Sequence, residues 1–216
     1  DRGVTVLFGG SPGGSETWEW DGVSWTQRAG SGPSPRHRHA MSYDANRCVT
    51  VLFGGSSYSG VLTSLQDTWE WDGVTWTQRA SSGPSARYAH AMSYDAGRGA
   101  TVLFGGYDSA YNGETWEWDG VTWMQRSSCG PSPRSLHAMA YDANRGVIVL
   151  FGGSSYSGVL TLFQDTWEWD GVTWMQRASC GPSSRWGHAM AYDAGRGVTV
   201  LFSGFDNAYN GETWVW

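Results

Sequence analysis

Thr17-Trp18-Glu19-Trp20-Asp21-Gly22-Val23-Ser24-Trp25 is the stretch on which the reading of this chain turns. It returns nearly letter for letter at Thr68–Trp76, Thr115–Trp123 and Thr166–Trp174, and its first half closes the sequence as Thr213-Trp214-Val215-Trp216. Asp-Gly between two β-favouring runs is a strong hairpin signal, because a type I′ turn needs φ > 0 at both central residues. With Asp21 and Gly22 as the loop, Trp20 is expected opposite Val23, Glu19 opposite Ser24 and Trp18 opposite Trp25. One face then carries Trp18, Trp20, Val23 and Trp25, and the other carries Thr17, Glu19, Ser24 and Thr26. A hairpin this short cannot bury its indoles alone, so each copy needs another sheet to lie against.

Around that hairpin each unit supplies two further short β segments. The first is His39-Ala40-Met41-Ser42-Tyr43, repeated at His90–Tyr94, His137–Tyr141 and His188–Tyr192. A turn, Asp44-Ala45-Asn46-Arg47 or the variant Asp95-Ala96-Gly97-Arg98, leads to Thr50-Val51-Leu52-Phe53 and a Gly54-Gly55 pair. A loop and the Trp hairpin follow, and then a Gly-Pro linker such as Gly32-Pro33 or Gly83-Pro84. Strand alternation and turn residues run throughout, with no helical period.

Phe8, Phe53, Phe104, Phe151 and Phe202 mark the repeat, at spacings of 45, 51, 47 and 51 residues. The variation lies in the loop between the second and third segments. It is short at Ser11–Glu16, long at Ser56–Asp67 and Ser154–Asp165, and intermediate at Tyr107–Glu114 and Phe205–Glu212. Val51–Arg79 and Val149–Arg177 differ only at Ser64/Leu162, Leu65/Phe163 and Thr77/Met175, which points to duplication of a two-unit block.

Four strands per unit and a period near 50 residues predict an all-β fold, a β-propeller. The Gly-Gly pair after the second strand, the aromatic-Asp Trp20-Asp21 and the Trp25 that opens the fourth strand resemble the kelch repeats, over the whole chain. Trp stands where kelch repeats usually have Tyr, the aromatic spacing is one residue shorter, and Ser203 interrupts one Gly pair. The units run approximately 1–28, 36–79, 87–126, 134–177 and 185–216, giving about five blades of which the first and last are incomplete: the first lacks an inner strand and the last an outer one. Such edges invite strand addition from a neighbouring chain.

Composition narrows the partners. The 216 residues carry a net charge of −6, all 14 basic residues are Arg, and no basic run exists, so no nucleic-acid partner is expected. No apolar stretch approaches the ~18 residues of a membrane helix, so the composition reads as that of a water-soluble chain. There is no initiator Met or signal peptide, and the sequence opens and stops within a repeat, which suggests a portion of something longer. Cys48, Cys129 and Cys180 are too few and scattered for a disulfide framework or zinc site, and free thiols are expected. The Trp-, Gly- and Ser-rich, Lys-free composition, with a resemblance to long bacterial repeat proteins, suggests an extracellular or cell-surface location.

Two sets of residues stand out as candidate sites. Arg36 and His39, Arg87 and His90, Arg134 and His137, and Arg185 and His188 recur at one place near the inner strands, as a ring around a channel mouth. Four guanidinium groups there would suit an acidic ligand, although pairing with nearby Asp is the commoner outcome. The imidazoles are spaced too widely for a metal, since stacked sheets lie about 10 Å apart, and are expected to hydrogen-bond and lock each blade. The second set is aromatic: Tyr58, Tyr107, Tyr111, Tyr156, Phe205 and Tyr209 lie in the variable loops, and Trp186 stands where other units have His37, Tyr88 and Ser135. No blade core requires them, and the loops share a face with the Gly-Pro linkers, so a ligand or partner is expected there.

Catalytic motifs are missing: there is no Gly-x-Ser-x-Gly elbow, phosphate loop or His-Glu-x-x-His. Galactose oxidase, a kelch-like oxidase that resembles this fold, uses a copper site with Tyr and Cys ligands. Here the Tyr residues recur with the repeat and no Cys is expected beside them, so neither the activity nor a cofactor carries over. The expectation is a non-catalytic interaction or structural module, binding protein or itself through open blade edges and the loop face. A lectin-like, glycan-binding module is the alternative, ahead of a propeller-based enzyme.

Overall fold

A computed structural model describes residues 2–10, 14–28, 31–179 and 181–216. Blade 1 is a three-stranded sheet of β1 (Thr5–Phe8), β2 (Thr17–Trp20) and β3 (Trp25–Gln27). Blade 2 orders β4 (Ala40–Asp44), β5 (Val49–Phe53), β8 (Thr68–Trp71) and β9 (Trp76–Ala80). Between β5 and β8, β6 (Ser56–Tyr58) and β7 (Leu62–Ser64) form a separate ribbon. Blade 3 comprises β10 (Ala91–Asp95), β11 (Ala100–Phe104), β12 (Thr115–Trp118) and β13 (Trp123–Ser127). Blade 4 repeats blade 2: β14 (Ala138–Asp142), β15 (Val147–Phe151), β18 (Thr166–Trp169) and β19 (Trp174–Ala178), with β16 (Ser154–Tyr156) and β17 (Leu160–Leu162) as its ribbon. Blade 5 has β20 (Ala189–Asp193), β21 (Val198–Phe202) and β22 (Thr213–Val215). The five antiparallel sheets form a five-blade β-propeller. Among the described residues no helix is long and apolar enough to cross a membrane.

The hairpin register differs from the expected one. Trp20 pairs with Trp25, Glu19 with Thr26 and Trp18 with Gln27, so the loop has four residues, Asp21 to Ser24. The Asp21 side chain decides this: its Oδ1 accepts from both Val23 N and Ser24 N at 2.8 Å, an Asx-type closure that competes with the two-residue turn. The slip is by two residues, so each Trp keeps its face.

Adjacent blades are held by those indoles. Trp71 Nε1 donates to Glu19 of blade 1 at 2.9 Å, and Trp76 Nε1 donates to Thr17 at 2.7 Å while its ring meets Phe8 edge-on, centroids 5.2 Å apart. Trp118 and Trp123 treat Glu70, Thr68 and Phe53 the same way, and Trp169 and Trp174 treat Glu117, Thr115 and Phe104 likewise. Inside each central blade Val51, Leu52 and Phe53, or their counterparts, are sealed on both faces.

The glycine pair follows from the same packing. Gly55 N donates to the Arg87 carbonyl of the next blade at 2.9 Å, and a Cβ on Gly54 (φ 60°) would lie 2.7 Å from that oxygen. Only glycine fits where one backbone approaches another this closely.

Candidate functional site

The face formed by the linkers and the loops between second and third strands carries the variable aromatics. In blades 3 and 5 they gather into triads: Tyr88, Tyr107 and Tyr111, with centroids 5.7 and 5.0 Å apart, and Trp186, Phe205 and Tyr209, at 5.3 and 5.2 Å. Backbone bridges Tyr88–Tyr107 and Trp186–Phe205 fix linker to loop in each triad. Tyr209 is exposed, and the other members are half-buried. In blades 2 and 4 the same place carries the ribbons, whose Tyr58 and Tyr156 project into solvent without joining a triad. Tyr88 belongs with these aromatics although sequence reading left it out; its position beside Trp186 in the repeat frame was the available signal.

The arginines of the proposed ring are fully buried and engaged. Arg36 bonds Asp67 through two nitrogens at 2.7 and 2.8 Å, and also reaches Ser34 and the Gly54 carbonyl. Arg134 grips Asp165, Arg87 binds Glu114, and Arg185 binds Glu212 and Asn210. Their donors tie each linker to its own loop. Burial pushes the Asp67 carboxyl up, and its bonds from Arg36 and Trp69 more than reverse this, leaving it below the ordinary carboxylate range.

Each imidazole packs edge-on against the Phe of the preceding blade: His39 on Phe8, His90 on Phe53, His137 on Phe104 and His188 on Phe151. His188 Nε2 lies 3.1 Å from the Phe151 carbonyl. Burial, aided by the neighbouring arginines, lowers His39 and His188 to about 4 and His90 to about 3, so all three are neutral at pH 7.

A buried carboxylate escaped sequence reading. Glu19, Glu70, Glu117 and Glu168 are almost sealed, each held by two arginines and an indole of the following blade; for Glu70 these are Arg47, Arg79 and Trp118. The signal was present, since Glu stands between two Trp in four copies and is replaced only at Val215.

The two end blades each expose an apolar face. On blade 1 Trp25 is 47% exposed, and on blade 5 Phe202 is 52% exposed on the same face as Val215, the counterparts of residues sealed between blades elsewhere. Cys48 and Cys129 are free and exposed, and Cys180 lies outside the described residues. Cys48 sits beside Tyr43, contrary to the expectation that no Cys stands next to a Tyr, because the strand β4 and the start of β5 are brought together by the turn between them. Among the described residues no three His, Cys, Asp or Glu side chains gather as a metal set.

No family model matches the chain, and neither does any curated protein sequence. Solved structures do. YjhT superimposes with a TM-score of 0.77 at 16% identity, over 94% of this chain and 70% of that one. A fungal alcohol oxidase of the AA5 family, in complex with copper, superimposes at 0.59 and 13% identity, over 94% and 56%. The likeness shows the fold alone. The chain spans little more than half of the oxidase, whose chemistry is that protein's own.

Proposed function

We propose that this chain is a kelch-type propeller acting as a non-catalytic interaction module, which associates with protein, in the first instance with itself, through its end blades. The observation that carries this reading is the pair of exposed apolar faces. Trp20 and Trp25 on blade 1 stand where Trp71 and Trp76 dock, and Phe202 and Thr213 on blade 5 stand where Phe8 and Thr17 receive them. Exposed apolar patches of this kind mark association surfaces, and a head-to-tail contact between copies would bury both. An extracellular or cell-surface setting belongs to the same proposal. Sedimentation velocity across a concentration series tests it. Concentration-dependent mass is expected, and Trp25→Arg or Phe202→Arg should abolish it; a monomer at all concentrations would sink the reading.

The aromatic triads support a second reading, a lectin-like surface, because tilted and edge-on rings beside exposed Tyr209 leave ring faces free for a sugar. A glycan array bound by the wild-type chain and not by Tyr209→Ala is its expected result.

A further inference from the structure

The two ribbons are the part of the molecule that neither blade packing nor the end faces use. β6–β7 and β16–β17 are each a sheet of their own, carried by the internal blades 2 and 4. Backbone bonds anchor their bases: Ser56 exchanges two with His37 at 2.9 Å, and Ser154 exchanges two with Ser135 at 2.9 Å. Beyond the anchor the side chains are open to water. Tyr58 is 70% exposed and lies across from Leu62, and Val61 in the turn is 71% exposed. Tyr156, Val159 and Leu160 repeat the arrangement. Hydroxyls occupy the other side of each ribbon, Ser57 opposite Thr63 and Ser155 opposite Thr161. No charged residue occurs from Ser56 to Gln66 or from Ser154 to Gln164.

We propose that the ribbon tips dock on the zwitterionic surface of a lipid bilayer, with Val61, Leu62, Val159 and Leu160 among phosphocholine headgroups and Tyr58 and Tyr156 at the water boundary. Geometry selects the bilayer as occupant. Blades repeat around one axis, so equivalent loops stand at one height along it and both tips meet one plane together. A convex tip suits a fluid medium that closes round it, whereas a protein partner would have to offer two matching pockets at the same spacing. Tyr beside aliphatic side chains is the combination favoured where headgroups meet water. The backbone sets the depth. A two-stranded ribbon has two open edges, whose N–H and C=O groups cannot enter hydrocarbon unpaired, so only the tips go in.

Charge selects the lipid. Among the described residues every Arg except Arg38 is bonded to a carboxylate, and the chain carries a net charge of −6. No basic patch is left to draw an anionic surface, so apolar insertion into a neutral one is the mode that remains. Three exposed apolar side chains on one ribbon give weak binding. Two ribbons on one molecule bind as a pair, because the first contact holds the second tip at a high effective concentration.

The test uses the 216-residue chain and phosphatidylcholine vesicles. With Cys48→Ser, Cys129→Ser and Cys180→Ser in place, a single thiol from Ser59→Cys, Ser157→Cys or Val74→Cys carries the polarity-sensitive fluorophore NBD. Emission from Ser59→Cys and Ser157→Cys should rise and shift to the blue as vesicles are added. Val74→Cys, in an Asp-Gly turn at the opposite end of the strands, should not respond. The unlabelled wild-type chain should sediment with the vesicles. Leu62→Glu or Leu160→Glu should weaken partitioning at least about ten-fold, and the two together should abolish it. Adding phosphatidylserine should not strengthen it. No co-sedimentation at millimolar lipid, an equal response from Val74→Cys, a double variant that binds undiminished, or affinity that grows with phosphatidylserine would each overturn the proposal. So would an NBD rise with chain concentration alone, which would assign the tips to a contact between copies. Both leucines are exposed, so the double variant should keep the wild-type urea midpoint. The labelled serine positions read insertion without altering either leucine.

Discussion

Glu70 accepts from Arg47, Arg79 and the Trp118 indole of the following blade while almost excluded from water. A carboxylate in that place joins three strands of two blades, and removing it strands two guanidinium groups and an indole N–H. Glu70→Ala should therefore cost about 3–5 kcal/mol in urea unfolding. Arg79→Ala, at a half-exposed partner, should cost no more than about 1 kcal/mol. Equal costs would contradict the asymmetry. The buried imidazoles set a different sensitivity. His90 has a folded pKa of about 3 against an ordinary 6.5, so between those values the unfolded chain holds a proton that the folded one does not. Stability is thus complete above pH 6.5 and falls as the pH drops below it. Asp67 and Asp165, held below their ordinary range, add a second loss only below about pH 4. Urea midpoints at pH 7, 6 and 5 should decline, and less steeply in His90→Gln; a flat profile would refute buried neutral histidines.

At the scale of the element, the propeller strands were legible because each unit repeats a pattern with few local alternatives. The 18 blade strands read from the sequence are those found, with the inner strand missing from blade 1 and the outer from blade 5. The hairpin register was not legible, since Asp-Gly permits two closures and only the Asp21 side-chain bonds to Val23 and Ser24 choose between them. The ribbons β6–β7 and β16–β17 were missed because Ser-Ser-Tyr and Leu-Thr read as loop without a neighbouring sheet. Of the candidate residues, Tyr107, Tyr111, Phe205 and Tyr209 gather with the linker residues Tyr88 and Trp186, whereas burial of the arginines depended on Asp67, Asp165 and the glutamates, which lie far along the chain. Ser203 is the instructive exception to the glycine pair. It keeps a positive φ of 66°, and among the described residues no carbonyl of another blade approaches it as those of Arg87, Arg134 and Arg185 approach the earlier pairs. Ser203→Gly should therefore change stability by less than about 1 kcal/mol. Gly105→Ser, whose Cβ would lie 2.6 Å from the Arg134 carbonyl, should cost at least about 2 kcal/mol. Similar costs in thermal or urea unfolding would remove backbone approach as the reason for the pair.

Across the whole molecule the blades are joined by one repeated device, and the molecule stops using it at blade 5. Val215 occupies the place of Glu19, Glu70, Glu117 and Glu168, and Arg196, which elsewhere would share that Glu, binds Asp193 alone and is 81% exposed. On blade 1 the Trp20 and Trp25 indoles, unlike their counterparts in blades 2 to 4, face no preceding Glu or Thr. A head-to-tail contact between copies would bring Trp20 over Val215, reproducing every part of the blade junction except its acceptor. Val215→Glu restores that acceptor and gives Arg196 a second carboxylate. If the end faces meet as proposed, the variant should associate at concentrations about ten-fold lower than wild type, as expected for one charge-assisted hydrogen bond gained at a buried site. Trp20→Phe, which keeps the ring and removes the N–H, should cancel the gain in the variant. Sedimentation equilibrium measures both, and an association constant indifferent to Val215→Glu would show that copies meet through other surfaces.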